Sequence, residues 1–123
     1  MQALVVAVHP GAPTMVDAVV AGVRLHAEWV GPLVPPGSFS DVELDIDDPL
    51  VWGDRIALPD GASSLRDGPL LRGTVEAYEE PVLTLRITEG LVMVEFEPGP
   101  VDVPPGTAVV VVAEHPRLFP TGI

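Results

Sequence analysis

The sequence predicts an all-β fold: about eight short strands in a small barrel or sandwich, with little or no helix. Fifteen prolines and twelve glycines are spread along the 123 residues, which leaves no room for a long helix. The segments between these breaks have strand length and alternate apolar with polar residues. A barrel is favoured because closure removes exposed strand edges. At this length the chain is expected to form one domain, residues 1–123.

The predicted strands can be justified in chain order from alternation and from the turn residues between them. They cover residues 4–8, 16–29, 41–47, 50–58, 70–79, 82–88, 91–97 and 107–113. In the second of these, valine content and Gly22 favour one long strand with a bend over a helix. The last is a continuous β-branched run, which predicts that both of its faces are buried. Residues 59–69 are predicted to form an exposed loop.

The sequence contains one segment that resembles a known family and one pair of segments that resemble each other. Residues 71–77, Leu-Arg-Gly-Thr-Val-Glu-Ala, are followed by two short strands, and this arrangement resembles an oligonucleotide/oligosaccharide-binding (OB) barrel. The acidic charge of the chain disagrees with the usual ligands of that family. Residues 31–37 and 99–106 are similar proline-glycine segments that each precede a predicted strand. A doubled unit and two independent turns both explain that similarity.

The charge balance excludes several classes of function. The chain has 18 acidic residues and six basic ones, for a net charge of −12, so nucleic acid is not expected as a partner. Cysteine and lysine are absent, which removes thiolate and lysine-dependent chemistry. The sequence shows no apolar run of membrane-spanning length and no basic signal-peptide lead. The expected location is therefore the cytoplasm, and no membrane contact or cofactor is predicted.

Carboxylates repeat at every second position of the predicted strand 41–47. They are Asp41, Glu43, Asp45 and Asp47, and Asp48 and Asp54 follow them. The first four project from one strand face at intervals of about 7 Å. A solvated outer face and a docking surface for a cationic protein both explain such a row. The spacing resembles a calcium loop, but Asp48 stands where a glycine must turn the chain, so no metal site is predicted.

The remaining candidate residues are few. Arg24, His26 and Glu28 share one face of a predicted strand and form an alternative ligand pocket. Trp52 lies close to the acidic residues, where a core position and an apolar interface anchor are both reasonable. No serine stands in a nucleophile elbow and no phosphate-binding loop is present, so no catalytic residue is predicted.

Taken together, these features predict a small acidic binding protein that acts by stoichiometric contact with a basic protein partner. An immunity or inhibitor protein for a basic toxin or enzyme fits this description, with the acidic residues docking and Trp52 as the anchor. Two alternatives stay open. One is a small-ligand-binding protein or enzyme with its site in the barrel mouth. The other is a structural subunit of a homo-oligomer.

Overall fold

The computed structural model describes residues 1–99 and 102–121, and it confirms the all-β prediction. Its strands are β1 (Gln2–His9), β2 (Met15–Val20), β3 (Val23–Trp29), β4 (Phe39–Ile46), β5 (Leu50–Val51), β6 (Ile56–Ala57), β7 (Leu70–Glu79), β8 (Val82–Ile87), β9 (Gly90–Glu97), β10 (Ala108–Val112) and β11 (Pro116–Pro120). The helical structure described is one short 3-10 helix, Pro59–Ser64. In this part of the chain no helix is long and apolar enough to cross a membrane.

The strand count exceeds the predicted eight for three reasons. The predicted long strand is a hairpin, β2 and β3, because Ala21 and Gly22 have φ angles of 52° and 76° and form its two-residue turn. A turn at residues 53–55 divides the predicted strand 50–58 into β5 and β6. The last strand, β11, begins and ends at a proline, a composition that argues against a strand when only the sequence is considered.

The first barrel is a closed five-stranded sheet of order β1-β2-β3-β11-β4. All of its pairs are antiparallel except β3 with β11, which is parallel. Numbered within the barrel, the strands run 1-2-3-5-4, which is the order of the OB barrel. The likeness is one of strand order alone.

The second barrel is a six-stranded sheet of order β5-β9-β8-β7-β10-β6 that is nearly closed. An isolated bridge between Trp52 and Ile56 brings its two ends together. Residues 71–77, the segment that resembles an OB barrel, lie in β7. β7 is the first strand of the second half of the chain. Here β5 and β6 together take the place of a fifth strand, with β5 parallel to β9 and β6 antiparallel to β10.

The two barrels exchange their closing strands. The first takes β1 to β4 from the first half of the chain and β11 from its end, whereas the second takes β7 to β10 from the second half and β5 with β6 from the first. Each half therefore builds four strands of one barrel and then supplies the fifth strand of the other. Neither barrel can close with strands from one half alone.

Local details repeat between the halves. The register of β1 shifts between Val5 and Ala7, and that of β7 shifts between Val75 and Ala77, so each first strand carries a bulge at the same place. The residue just before each bulge, Val5 or Val75, exchanges backbone hydrogen bonds with the segment that precedes β4 or β10. The common bulge supports the interpretation of a doubled unit.

The similar proline-glycine segments also occupy equivalent places, directly before β4 and β10. In each, a hydroxyl donates a hydrogen bond to the carbonyl oxygen of the first proline of a pair: Ser38 to Pro35 at 2.5 Å and Thr107 to Pro104 at 2.6 Å. Residues 100 and 101 of the second segment lie outside the described residues. A doubled unit explains both these matches and the equivalent strand order of the two barrels. Two independent turns would explain the proline-glycine segments but not the equivalent strand order.

One contiguous cluster of buried apolar side chains joins the two barrels. The closing strands contribute Leu118 to the first barrel and Leu50 to the second, and both side chains are 0% exposed. No polar or charged residue is buried among those described. The polar candidates therefore lie on outer faces and not inside a barrel.

The prediction that β10 is buried on both faces holds for its last four residues. Val109 and Val111 belong to the shared core, whereas Val110 and Val112 pack in a smaller cluster with Leu65. Residues 59–69, predicted as an exposed loop, contain the 3-10 helix. Leu65 of this segment is buried in the smaller cluster and covers the second face of β10.

We expect Leu118→Ala to lower the free energy of unfolding by about 2–5 kcal/mol, because it leaves a cavity where β11 closes the first barrel. Urea denaturation measures the loss. Leu33→Ala removes the same atoms from a side chain that is 57% exposed, and this control should change stability by about 0.5 kcal/mol or less. Equal losses in the two variants would contradict the closing role of β11.

Candidate functional site

The acidic row, defined as Asp41, Glu43, Asp45 and Asp47, lies on or beside β4, as the alternation predicts. Between its members the apolar side chains turn inward, and they are Val42, Leu44 and Ile46, each at most 5% exposed. The row is thus the outer face of a half-buried strand. Whether it also docks a partner depends on what its carboxylates already bind.

Most of the row is ion-paired within the fold. Because Asp45 lies opposite Arg117 in the register of β4 with β11, the guanidinium Nη2 donates to Asp45 Oδ2 at 2.6 Å and also to Asp47. The N-terminal ammonium group lies 3.1 Å from Asp41 Oδ1. A hydrogen bond from this group is the main reason that the pKa of Asp41 lies below its ordinary value of 3.8.

The two acids that follow the row are paired as well. Arg55 Nη1 lies 3.2 Å from Asp48, and Arg66 Nη2 lies 2.9 Å from Asp54. Both arginines also contact Glu114, at 2.9 Å and 3.0 Å. A hydrogen bond with His115, followed by the charge of Arg55, lowers the pKa of Asp48. Four cations thus contact six of the seven carboxylates in this region, so the surface stays negative but far less so than the sequence suggested.

Glu43 is the exception in the row, since it forms no ion pair or hydrogen bond with a described residue. Together with Asp45 it lines a groove of about 420 Å³ whose other side is apolar. The apolar side chains include Leu91 and Met93 on β9, which are 50% and 66% exposed, and Phe119 on β11. This groove, called the β4/β9 groove below, combines carboxylates with exposed apolar surface.

Trp52 does not occupy the position of an exposed anchor. Its side chain is half-buried and packs against the shared core, with its ring edge-on to Phe96 at a centroid distance of 6.4 Å. A Cβ atom on Gly99 would lie 2.5 Å from Trp52 Cδ1, so the backbone covers the indole closely. The core interpretation of Trp52 is supported, and the exposed apolar side chains near the row are those of the groove.

The alternative pocket gains two members that the sequence did not single out. Asp17 lies opposite His26 in the register of β2 with β3, and its Oδ1 is 2.8 Å from His26 Nδ1. Its Oδ2 is 3.0 Å from His9 Nε2 at the end of β1. Hydrogen bonds with His9 and then with His26 lower the pKa of Asp17 from 3.8 to about 2. His9, Asp17 and His26 form what we call the histidine cluster.

The histidine cluster borders an open cleft of about 540 Å³ between the two halves of the chain. Arg24 and His26 line it from β3, and Glu114 and His115 line it from the segment before β11. Glu28 does not line this cleft and lies opposite Arg117 in the parallel register of β3 with β11. Two of the three predicted pocket residues are therefore brought together, on the outer wall of the first barrel.

The sequence did contain a signal for Asp17. If Ala21 and Gly22 form a two-residue turn, alternation places Asp17 directly opposite His26. His9 could not be placed in the same way, because the bulge in β1 reverses which side chains face outward. After the bulge, Val8 packs against the core and His9 is exposed.

Comparison with known proteins adds no relatives: no family model, curated protein or solved structure matches this chain.

We expect Asp17→Asn to be destabilising in a pH-dependent way. Because folding lowers the pKa of Asp17 from 3.8 to about 2, its contribution is present above pH 3.8 and is lost progressively as the pH falls through about 2. The difference in unfolding free energy between the wild type and Asp17→Asn should shrink over that range. Urea denaturation at a series of pH values measures it.

Carbon-13 NMR of the Asp17 carboxyl group tests the cause. A midpoint near 2 is expected for the wild type, and His26→Ala should raise it toward 3.8 because it removes one of the two hydrogen bonds. His115→Ala, which removes a histidine outside the cluster, should leave the midpoint unchanged. A wild-type midpoint of 3.8 would contradict the cluster.

Proposed function

We propose that the chain acts by stoichiometric contact with a basic protein, which docks on the β4/β9 groove. The observation that carries this proposal is the groove itself, where Glu43 and Asp45 flank exposed Leu91 and Met93. Protein interfaces combine a desolvated apolar centre with a polar rim. An immunity or inhibitor protein that covers a basic toxin or enzyme is the class of protein that fits this surface.

Charge supports a basic partner over a second copy of the chain. At a net charge of −12, two copies repel each other, whereas a cationic protein is attracted over a distance of about 10 Å at ordinary salt. Glu43 has no ion-pair partner among the described residues, so it can pair with an incoming guanidinium without losing one. Phe39, which is 66% exposed at the start of β4, is a further exposed apolar side chain on the same strand face, outside the groove.

The docking surface differs from the one that the sequence predicts. Asp45, Asp47, Asp48 and Asp54 are held by arginines of the chain itself, so a partner that paired with them would have to displace those arginines. Glu43, together with the apolar residues of β9 and Phe119, forms the centre of the proposed interface, and Asp45 lies at its edge in its pair with Arg117.

A second candidate function, small-ligand binding, is supported by the cleft beside the histidine cluster. Arg24, His26 and two carboxylates, those of Asp17 and Glu114, line one concave surface there. Convergence of polar groups in a cleft is the usual feature of a ligand site.

The docking proposal is tested by capturing proteins from the source cells on the immobilised wild-type chain and then measuring the affinity of each purified partner. We expect a basic partner whose binding is weakened roughly tenfold or more by Glu43→Arg and by Met93→Asp. Binding should also weaken when the salt concentration is raised.

Asp60→Arg is the matched control, since it makes the same charge change on the 3-10 helix, away from the groove. It should leave the affinity within about twofold of the wild type. Partners that bind both groove variants as tightly as the wild type would overturn the proposal. So would a wild-type dimer, measured by sedimentation, that Met93→Asp dissociates, because the groove would then be occupied by a second copy.

A further inference from the structure

The histidine cluster brings two imidazoles and one carboxylate together from three adjacent strands. His9 Nε2 and His26 Nδ1 lie 3.0 Å and 2.8 Å from the two oxygens of Asp17. One ligand atom from each of the three side chains can be chosen so that all lie within 4.8 Å of one another. The imidazole rings are 5.9 Å apart between centroids. We propose that His9, Asp17 and His26 form a binding site for one divalent transition-metal ion.

The distances suit a metal ion with small side-chain rotations. An ion with bonds of about 2.1 Å holds neighbouring ligand atoms about 3.0 Å apart in octahedral geometry and about 3.4 Å apart in tetrahedral geometry. The two hydrogen bonds of the cluster, 3.0 Å to Asp17 Oδ2 and 2.8 Å to Asp17 Oδ1, hold each imidazole nitrogen near such a separation from the carboxylate before an ion binds. The side chains of His9 and His26 are 53% and 60% exposed, so they can make this adjustment without disturbing the core.

The backbone positions the three side chains before any ion arrives. Cross-strand register places Asp17 beside His26. The bulge between Val5 and Ala7 brings His9 to the outer face of β1. Bulges commonly redirect side chains next to functional sites. The equivalent bulge in the second half is followed by Glu79 at the position that corresponds to His9, so the histidine arrangement is specific to the first half.

A second cluster with suitable ligands is a weaker candidate. Asp48, Glu114 and His115 also lie within reach of one ion. Their carboxylates, however, already contact Arg55, at 3.2 Å and 2.9 Å. A metal ion would have to compete with these charges, whereas the carboxylate of Asp17 is hydrogen-bonded only to the two histidines among the described residues. The histidine cluster is therefore the site for which no internal cation competes directly.

The ligand set indicates the class of ion. Two imidazoles and one carboxylate suit Zn²⁺, Cu²⁺, Ni²⁺, Co²⁺ or Fe²⁺, whereas Mg²⁺ and Ca²⁺ prefer oxygen ligands alone. Three protein ligands leave at least one coordination position for water or a small ligand. Asp17 and His26 also line the cleft, and so does Arg24, which lies on the same strand as His26. The positive charge of Arg24 lowers the affinity for a cation and favours an anionic ligand on the ion.

The test uses the full chain, first treated with a chelator and then titrated with Zn²⁺ by calorimetry at neutral pH. We expect one ion per chain, and an affinity that falls roughly tenfold or more in His9→Ala, His26→Ala and Asp17→Asn. His115→Ala is the matched control and should bind as the wild type does. Mg²⁺ at the same concentration should give no binding.

NMR of the imidazole carbons supplies a second readout. Zn²⁺ should shift the ring signals of His9 and His26 but not that of His115. Far-ultraviolet circular dichroism without metal checks that each variant is folded, as expected for exposed side chains. The proposal is overturned if Zn²⁺ produces no heat and no shift, if His115→Ala weakens binding as much as His26→Ala, or if Mg²⁺ binds equally well. None of these outcomes bears on the β4/β9 groove, which shares no residue with the cluster.

Discussion

The exchange of closing strands is the constraint on which the rest of the structure depends. β11 is the strand between β3 and β4 in the first barrel, and β5 with β6 fills the equivalent place in the second. Without its exchanged strand, each sheet would have two unpaired edges. It would also lose the buried leucine of that strand, Leu118 in the first barrel or Leu50 in the second, and expose the apolar interior to water. Burial of the core in either half therefore requires both halves, and the shared apolar cluster is the consequence.

The same exchange explains where the candidate sites lie. The β4/β9 groove is lined by Glu43 and Asp45 from the first half and by Met93 and Phe119 from the second. The cleft beside the histidine cluster is likewise lined by residues of β2 and β3 and by the segment that leads into β11. Both concave surfaces are formed where the two halves meet. Because both barrel interiors are filled with apolar side chains, these outer surfaces carry the polar chemistry of the described residues.

Local patterns in the sequence were sufficient to predict much of the fold. Strict alternation predicted the buried and exposed faces of β4, because a side-chain period of two follows directly from strand geometry. The β-branched run predicted a strand buried on both faces, which β10 confirms. The hairpin at Ala21 and Gly22 was missed, since alternation on both sides of a two-residue turn resembles one long strand with a bend.

Long-range partners were beyond the sequence. Asp45 and Arg117 are 72 positions apart, and their contact depends on the exchanged strand β11, which two prolines disguise. The acidic row was therefore predicted as a free surface, although much of it is neutralised inside the fold. His9 was missed for a related reason, because a bulge changes the facing of every side chain after it and leaves no clear pattern.

Equilibrium unfolding with the two tryptophans as separate probes tests the exchange most directly, since Trp29 belongs to the first barrel and Trp52 contacts the second. In Trp52→Phe and in Trp29→Phe, the fluorescence of the remaining tryptophan and the far-ultraviolet circular dichroism are followed against urea concentration. If each barrel is closed by a strand of the other half, the two curves superimpose within each variant, with one midpoint. Separate transitions, in which one barrel stays folded after the other has unfolded, would contradict the account.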